Sequence, residues 1–125
     1  MNKRNTGQKG EKLAQSYLEL IGYTILESNY HASIKGEIDI IAKDGETIVF
    51  VEVKLRFTDI YGSGREAVNA KKIKSLSYAA QHYLIKHQLN DSYTRFDVME
   101  ITLHNDRAEI EHIKNAFEIN NIKGW

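Results

Sequence analysis

Leu13, Ala14, Tyr17, Leu18 and Ile21 recur at steps of three and four, which predicts an amphipathic helix over 10–21. Gly22 stands where such a helix ends. The period then shortens. Residues 23–29 read as a strand, 29–35 as a polar turn and 37–42 as a second strand. Asp44-Gly45 marks a tight hairpin turn, since such turns need positive φ. Residues 47–54 make a third strand, β-branched or aromatic almost throughout, which implies burial on both faces. Residues 55–64, with Gly62-Ser63-Gly64 and no period, read as a loop. A long helix is predicted over 65–87, its apolar side marked by Ala67, Ile73, Leu76, Ala80, Tyr83 and Leu84. A fourth strand follows over 93–103, and a weaker fifth over 108–112 after an Asn105-Asp106 turn. Residues 115–125 carry no clear pattern.

This order predicts an α/β fold with an αβββαβ core and one further strand, a mixed central sheet flanked by helices. The absence of repeats, linkers and low-complexity tracts predicts a single domain over 1–125, with a core of about 7–114 and an undefined tail over 115–125.

The alternation of strand side chains turns this pattern into chemistry. Glu52 and Lys54 share one face of the third strand, with Ile48 and Phe50 deeper along it. A turn centred between Asp44 and Gly45 would set Asp39 of the second strand near Val49 to Glu52. Two carboxylates brought together raise at least one pKa unless a cation compensates them. A hard divalent ion prefers oxygen ligands, commonly one or two carboxylates completed by water and a substrate phosphate. Lys54 beside the pair could offset charge on a phosphate. A Glu-x-Lys pair on a strand is by itself usually a solvated surface ion pair. Here the run Ile48-Val49-Phe50-Val51 implies a strand mostly out of water, where charges need partners or a task.

Composition narrows the field without naming a function. Apolar residues make up 42% and charged residues 27% of the 125, a globular balance. There is no cysteine, which excludes disulfides and thiolate metal sites and suits a reducing cytoplasm. No long apolar run or signal segment is expected, so no membrane association is predicted. Seventeen basic residues balance seventeen acidic ones, so a polyanion would have to be held by a local patch or a bound cation. His82 and His87 are five apart, which misses the spacing of a helical metal pair and argues against zinc.

The motifs extend well beyond the strand pair. Gly7-x-x-Gly10-Glu11-x-x-Ala14-x-x-Tyr17-Leu18 precedes Gly22-Tyr23. Gly36-Glu37-Ile38-Asp39-Ile40-Ile41-Ala42 and Val49-Phe50-Val51-Glu52-Val53-Lys54-x-Arg56 follow, then Glu66-Ala67-Val68, Lys72 and Arg95-Phe96-Asp97-Val98. Over residues of about 7 to 103 this resembles the YraN family of small bacterial proteins, within the PD-(D/E)XK nuclease superfamily, whose members are similar to Holliday-junction resolvases. The resemblance implies a restriction-endonuclease-like core and a Mg²⁺- or Mn²⁺-dependent nuclease. It implies metal ligation by Asp39 and Glu52, with the Val53 carbonyl also available, and Lys54 as the catalytic lysine. It adds Glu11 as a further acid holding the metal site, and Lys72 as a phosphate contact.

Plainer roles exist for several of these residues. Glu11 could simply be a favourable acid in a helix's first turn, and Glu37 an exposed strand start. Arg56, Arg65 and Lys71, with Lys72 and Lys74, form a basic set that is either a solvated face or a backbone-binding surface. Of the seven tyrosines only Tyr61 reads as a loop residue free to stack on a base. The expected function is metal-dependent cleavage of nucleic acid, DNA in branched or flapped form. The alternative is a nucleic-acid-binding module that cuts weakly or only with a partner. A homodimer would suit a symmetric junction.

Overall fold

In the computed structural model, which describes residues 3–57 and 69–118, the chain runs α1 (Lys3–Leu20), β1 (Thr24–His31), a 3₁₀ turn (Ser33–Lys35), β2 (Glu37–Asp44), β3 (Thr47–Phe57), α2 (Ala70–Lys86), β4 (Tyr93–Leu103) and β5 (Ala108–Phe117). The strands form one mixed sheet in the order β1-β2-β3-β4-β5. β3 and β4 pair in parallel from Thr47↔Tyr93 to Phe57↔Leu103, which demands a crossover, and α2 lies within it. The other neighbouring pairs are antiparallel.

β3 is the middle of the sheet and is covered on both sides, as its unbroken apolar run requires. Ile48 and Phe50 point to a core shared with Tyr30, Ile41, Phe96 and α2 residues Leu76, Ala80 and Tyr83. Val49 and Val51 point the other way, onto Ile40, Ala42, Met99, Ile101 and α1 residues Ala14 and Leu18. Each fully buried side chain of this size contributes about 1.5–3 kcal/mol.

Three boundaries differ from the sequence pattern. The long helix begins at Ala70, because Asn69 is an extended N-cap whose side chain accepts a hydrogen bond from the Lys72 amide at 2.8 Å. Arg65, Glu66, Ala67, Val68 and Tyr61 lie outside the described residues. β3 continues through Leu55, Arg56 and Phe57, where a loop was expected, because its ladder with β4 carries on to Leu103. β5 reaches Phe117 rather than stopping at His112. Asn115 takes φ +53° beside a bulge in the β4 ladder, and beyond it the Phe117 ring stacks on Phe96 at 4.6 Å. A bulge shifts the alternation by one residue, which hides the strand's end from a period-two reading.

β4 also buries a polar network. The wholly buried Asp97 accepts from Arg95 Nε at 2.8 Å, Arg95 Nη2 at 3.0 Å and the Asn115 amide at 3.0 Å, and contacts His112 Nε2 at 2.7 Å. Arg95 reaches on to Asp44 and to the Tyr23 hydroxyl, tying the N-terminal end of β4 to the β2–β3 turn. Burial alone would push the Asp97 carboxyl up, but the hydrogen bonds from His112, Arg95 and Asn115 outweigh it and hold it at about 2.

Gly36 shows how tightly the α2 side is packed. Its backbone is extended, so no unusual φ explains it; a Cβ there would lie 2.4 Å from the Ser75 carbonyl oxygen of α2. Gly36→Ala should therefore lower stability by about 1–3 kcal/mol, read by denaturant titration. Asp97→Ala should cost more, about 3–5 kcal/mol, because it removes the buried acceptor shared by the part-buried Arg95, the buried His112 ring and the Asn115 amide. The Asp97 contribution should be complete above pH 4, the ordinary aspartate range, and fade as pH falls toward 2.

Candidate active site

Register brings the two central carboxylates together. Asp44 pairs with Thr47 and Ile40 with Val51, so the turn residues are Gly45 and Glu46, one step later than Asp44-Gly45. Gly45 supplies the positive φ at +61°. Carried one residue further, this register sets Asp39 beside Glu52. β2 also twists sharply at this point. Ile38 packs into the α2-side core and Ile40, two residues on, into the α1-side core, where strict alternation would give both the same face. Asn29, between the β1 partners of Ile38 and Ile40, has φ +53°. Asp39 sits at this crossing and so meets groups from both helical layers.

The electrostatics record that position. Asp39 Oδ2 accepts a hydrogen bond from the Val53 amide at 2.8 Å. Burial pushes the Asp39 carboxyl up to about 7, and Glu52 adds to this through repulsion and a shared hydrogen bond; the Val53 amide pulls the other way and Glu11 pushes further up. Glu52 is only 7% exposed. Its Oε2 lies 3.5 Å from Lys54 Nζ and 3.3 Å from Lys72 Nζ. Glu52 therefore holds two ammonium groups while Asp39 and, from α1, Glu11 add negative charge beside it in a partly desolvated corner.

The sequence-derived residues divide clearly. Asp39, Glu52, Lys54 and Lys72 converge, and Glu11 comes close enough to act on Asp39. Gly10 assists: a Cβ there would lie 3.1 Å from Leu55 Cδ1, so its absence lets α1 close on β3. Val53 makes its described contact through its N–H rather than its carbonyl. Arg56, in β3 two residues beyond Lys54, has a buried Nη2 with no hydrogen-bond partner among the described residues. Lys71 is exposed and lines a groove between α2 and the 3₁₀ turn instead. Glu37 is exposed and pairs with His31 across the β1–β2 ladder, as a strand-start residue should. The sequence pattern assigns Asp97 no role, although an acid set between the apolar Phe96 and Val98 is the visible sign of its network.

Among the described residues no three His, Asp or Glu side chains form a closed metal cage. The donor set is instead a pair of hard carboxylate oxygens with a third acid nearby, which suits a cation that keeps water and substrate oxygens in its shell. Without a cation the pair opposes folding. Asp39→Asn should keep the acceptor for the Val53 amide while removing the charge. It should raise the melting temperature of metal-free protein at pH 8 by a few degrees, on the order of 1–3 kcal/mol. The raised carboxyl stabilises the fold fully below its unfolded pKa near pH 4, and that stability is lost as pH rises through 7. The advantage of the variant should therefore vanish near pH 4; a destabilised variant at pH 8 would refute the assignment.

Comparison with known proteins places these motifs. The model of an uncharacterised protein family, UPF0102, matches residues 10–101. A UPF0102 protein of Geobacter metallireducens is 47% identical over 119 residues, covering 95% of this chain and 97% of its own. One from Syntrophus aciditrophicus is 48% identical over 114 residues, covering 91% and 89%. The solved structure of SSO0001 aligns with a TM-score of 0.41 and 21% identity over 90% of this chain and 52% of that one. With the family pattern spanning the helix, hairpin and crossover that build the carboxylate corner, and near half the residues shared with full-length relatives, this chain belongs to the UPF0102 (YraN) family.

Proposed function

We propose that the protein is a Mg²⁺- or Mn²⁺-dependent endonuclease that hydrolyses phosphodiester bonds in branched or flapped DNA. The observation that carries this reading is the Asp39–Glu52 pair: two carboxylates facing across the β2–β3 register, one pushed to about 7, with Lys54 beside them. A protein under no functional demand would replace such a pair by apolar or singly charged residues, because the repulsion has no structural return.

Asp39 and Glu52 would hold the cation, with Glu11 adding negative potential from α1. The cation would supply Lewis acidity toward the phosphate and a supply of activated water. The chain's own residues do the rest. Lys54 stands 3.5 Å from Glu52, where its ammonium can neutralise charge that builds on the phosphoryl oxygens. Arg56 stands two residues further along the same strand; its Nη2 is buried with no hydrogen-bond partner among the described residues, so a phosphate contact there would need the side chain to turn outward. In the hydrolysis a water oxygen forms the new bond to phosphorus as that water gives up a proton to solvent, the bond to the leaving sugar oxygen breaks in line, and the leaving oxygen takes up a proton from solvent. Lys72 is ion-paired with Glu52 and can exchange this contact for a substrate phosphate once a cation neutralises Glu52.

A second reading has one observation in its favour. Lys54 and Lys72 already compensate Glu52, and the Val53 amide already satisfies one oxygen of Asp39, so the corner holds together without a cation. On that reading the protein binds nucleic acid and cuts poorly or only with a partner. The two separate in a cleavage assay on labelled single strands, duplex, flap, four-way junction and RNA. Divalent-dependent cutting should occur with the wild type and fall about a hundredfold or more in both Asp39→Ala and Lys54→Ala. Binding that survives Lys54→Ala with no cleavage by any form would replace the nuclease with the binding module.

A further inference from the structure

Beside Lys72 on α2 lies a surface that the reaction above does not use. Lys71 and Lys74 are three apart on the helix, and Ser75 and Tyr78 lie four residues beyond each in turn, so all four share one face. Together with Lys35 of the 3₁₀ turn they line an open groove of about 510 Å³, within the range of small-molecule sites. Its lining is largely apolar, which from these residues means the lysine stems and the tyrosine ring. No carboxylate lines it among the described residues. The walls are fixed: Ser75 Oγ donates to the Lys35 carbonyl at 3.0 Å, and Gly36 leaves no space between the turn and the helix.

We propose that this groove holds an unpaired nucleotide segment of the substrate, with a base against Tyr78 and the flanking phosphates on Lys35, Lys71 and Lys74. This rests on the nucleic-acid reading above and narrows it, because only a strand with unstacked bases can use the ring. Three cations around an aromatic ring match the two faces of a single strand, its charged backbone and its flat bases. Duplex DNA or an acidic protein surface would use the lysines and leave the ring idle. Lys35 Nζ now rests over the Tyr78 ring at 5.7 Å, and His82 stacks loosely beyond it. Base stacking on an aromatic ring is stronger than an exposed cation–π contact, so a base can displace Lys35 and leave its ammonium for a phosphate. The groove adjoins the carboxylates through both of its walls. Lys71 precedes Lys72, whose Nζ touches Glu52, and the 3₁₀ turn leads directly into β2 and Asp39. A single strand lying here would run from the cut site, as the loose arm of a flap does.

The test is anisotropy titration of a labelled oligothymidylate and of a blunt duplex of equal length, with Ca²⁺ replacing Mg²⁺. Tyr78→Ala should weaken the single strand roughly five- to a hundredfold and change the duplex by less than about twofold, with Tyr78→Phe close to wild type. Lys35→Gln and Lys74→Gln should each flatten the salt dependence of single-strand binding by about 0.7 in slope. Single-strand affinity unchanged in Tyr78→Ala would overturn the proposal. Equal losses on duplex and single strand would do the same, leaving a plain phosphate or acidic-partner surface. Tyr78 packs partly against the core, so photocrosslinking of wild type to a 5-iodouracil oligonucleotide provides a second measure. The crosslinked peptide should contain Tyr78, and crosslinks confined elsewhere would refute the placement. A wild type that binds no nucleic acid would sink the nuclease reading itself, whereas binding that ignores Tyr78 sinks only the groove.

Discussion

β3 is buried on both faces, and the rest of the molecule follows from that constraint. A strand whose side chains alternate between Phe50 on one side and Val49 and Val51 on the other cannot sit at a solvated surface. It needs a helix over each face, which α1 and α2 provide. It also needs a hydrogen-bonded neighbour on each edge, which β2 and β4 provide. The parallel partner β4 then requires a crossover long enough to contain α2. Where β3 leaves the α2-side core, the side chains on that face become polar, Glu52, Lys54 and Arg56, while Val53 and Leu55 stay packed on the α1 side. The charged corner lies where it does because that is where the double cover ends.

Two acids near this strand meet opposite fates, and the comparison separates structure from chemistry. Asp97 is wholly buried yet held at about 2, because an arginine, a histidine and a backbone amide are aimed at its oxygens. Asp39 is pushed to about 7, because burial raises it and the neighbouring Glu52 carboxylate raises it further, against the pull of the Val53 amide. Desolvation acts on both; the partners decide the sign. The Asp97 network ties β4 to β5 and to the hairpin turn, and is satisfied within the chain. The Asp39–Glu52 pair is not satisfied in that way, and a cation is the kind of partner that would complete it.

The same logic orders the basic residues. Lys54 and Lys72 are drawn in by Glu52, while Lys71 and Lys74, on the adjoining helix face, have no acid lining their groove among the described residues. Lys54 of β3 and the three lysines in the first turns of α2 thus divide between compensating the carboxylates and lining a groove that presents cations to an external anion.

By itself the sequence determined the order of elements, the strand buried on both faces and the four charged positions that gather at its end. These are legible because they depend on local period: a two-residue alternation, a three-to-four-residue stripe, and a run too apolar to tolerate water. Only the tertiary structure decided which residues actually meet. The turn closes on Gly45-Glu46 rather than on Asp44-Gly45, and that single step aligns Asp39 with Glu52. The twist at Asp39, the bulge at Asn115, the pairing of Lys72 with Glu52 and the joining of Lys35 to Tyr78 are equally invisible in the sequence pattern. Each depends on contacts between residues distant in the chain or on one unusual backbone angle, and side-chain periodicity carries no information about either.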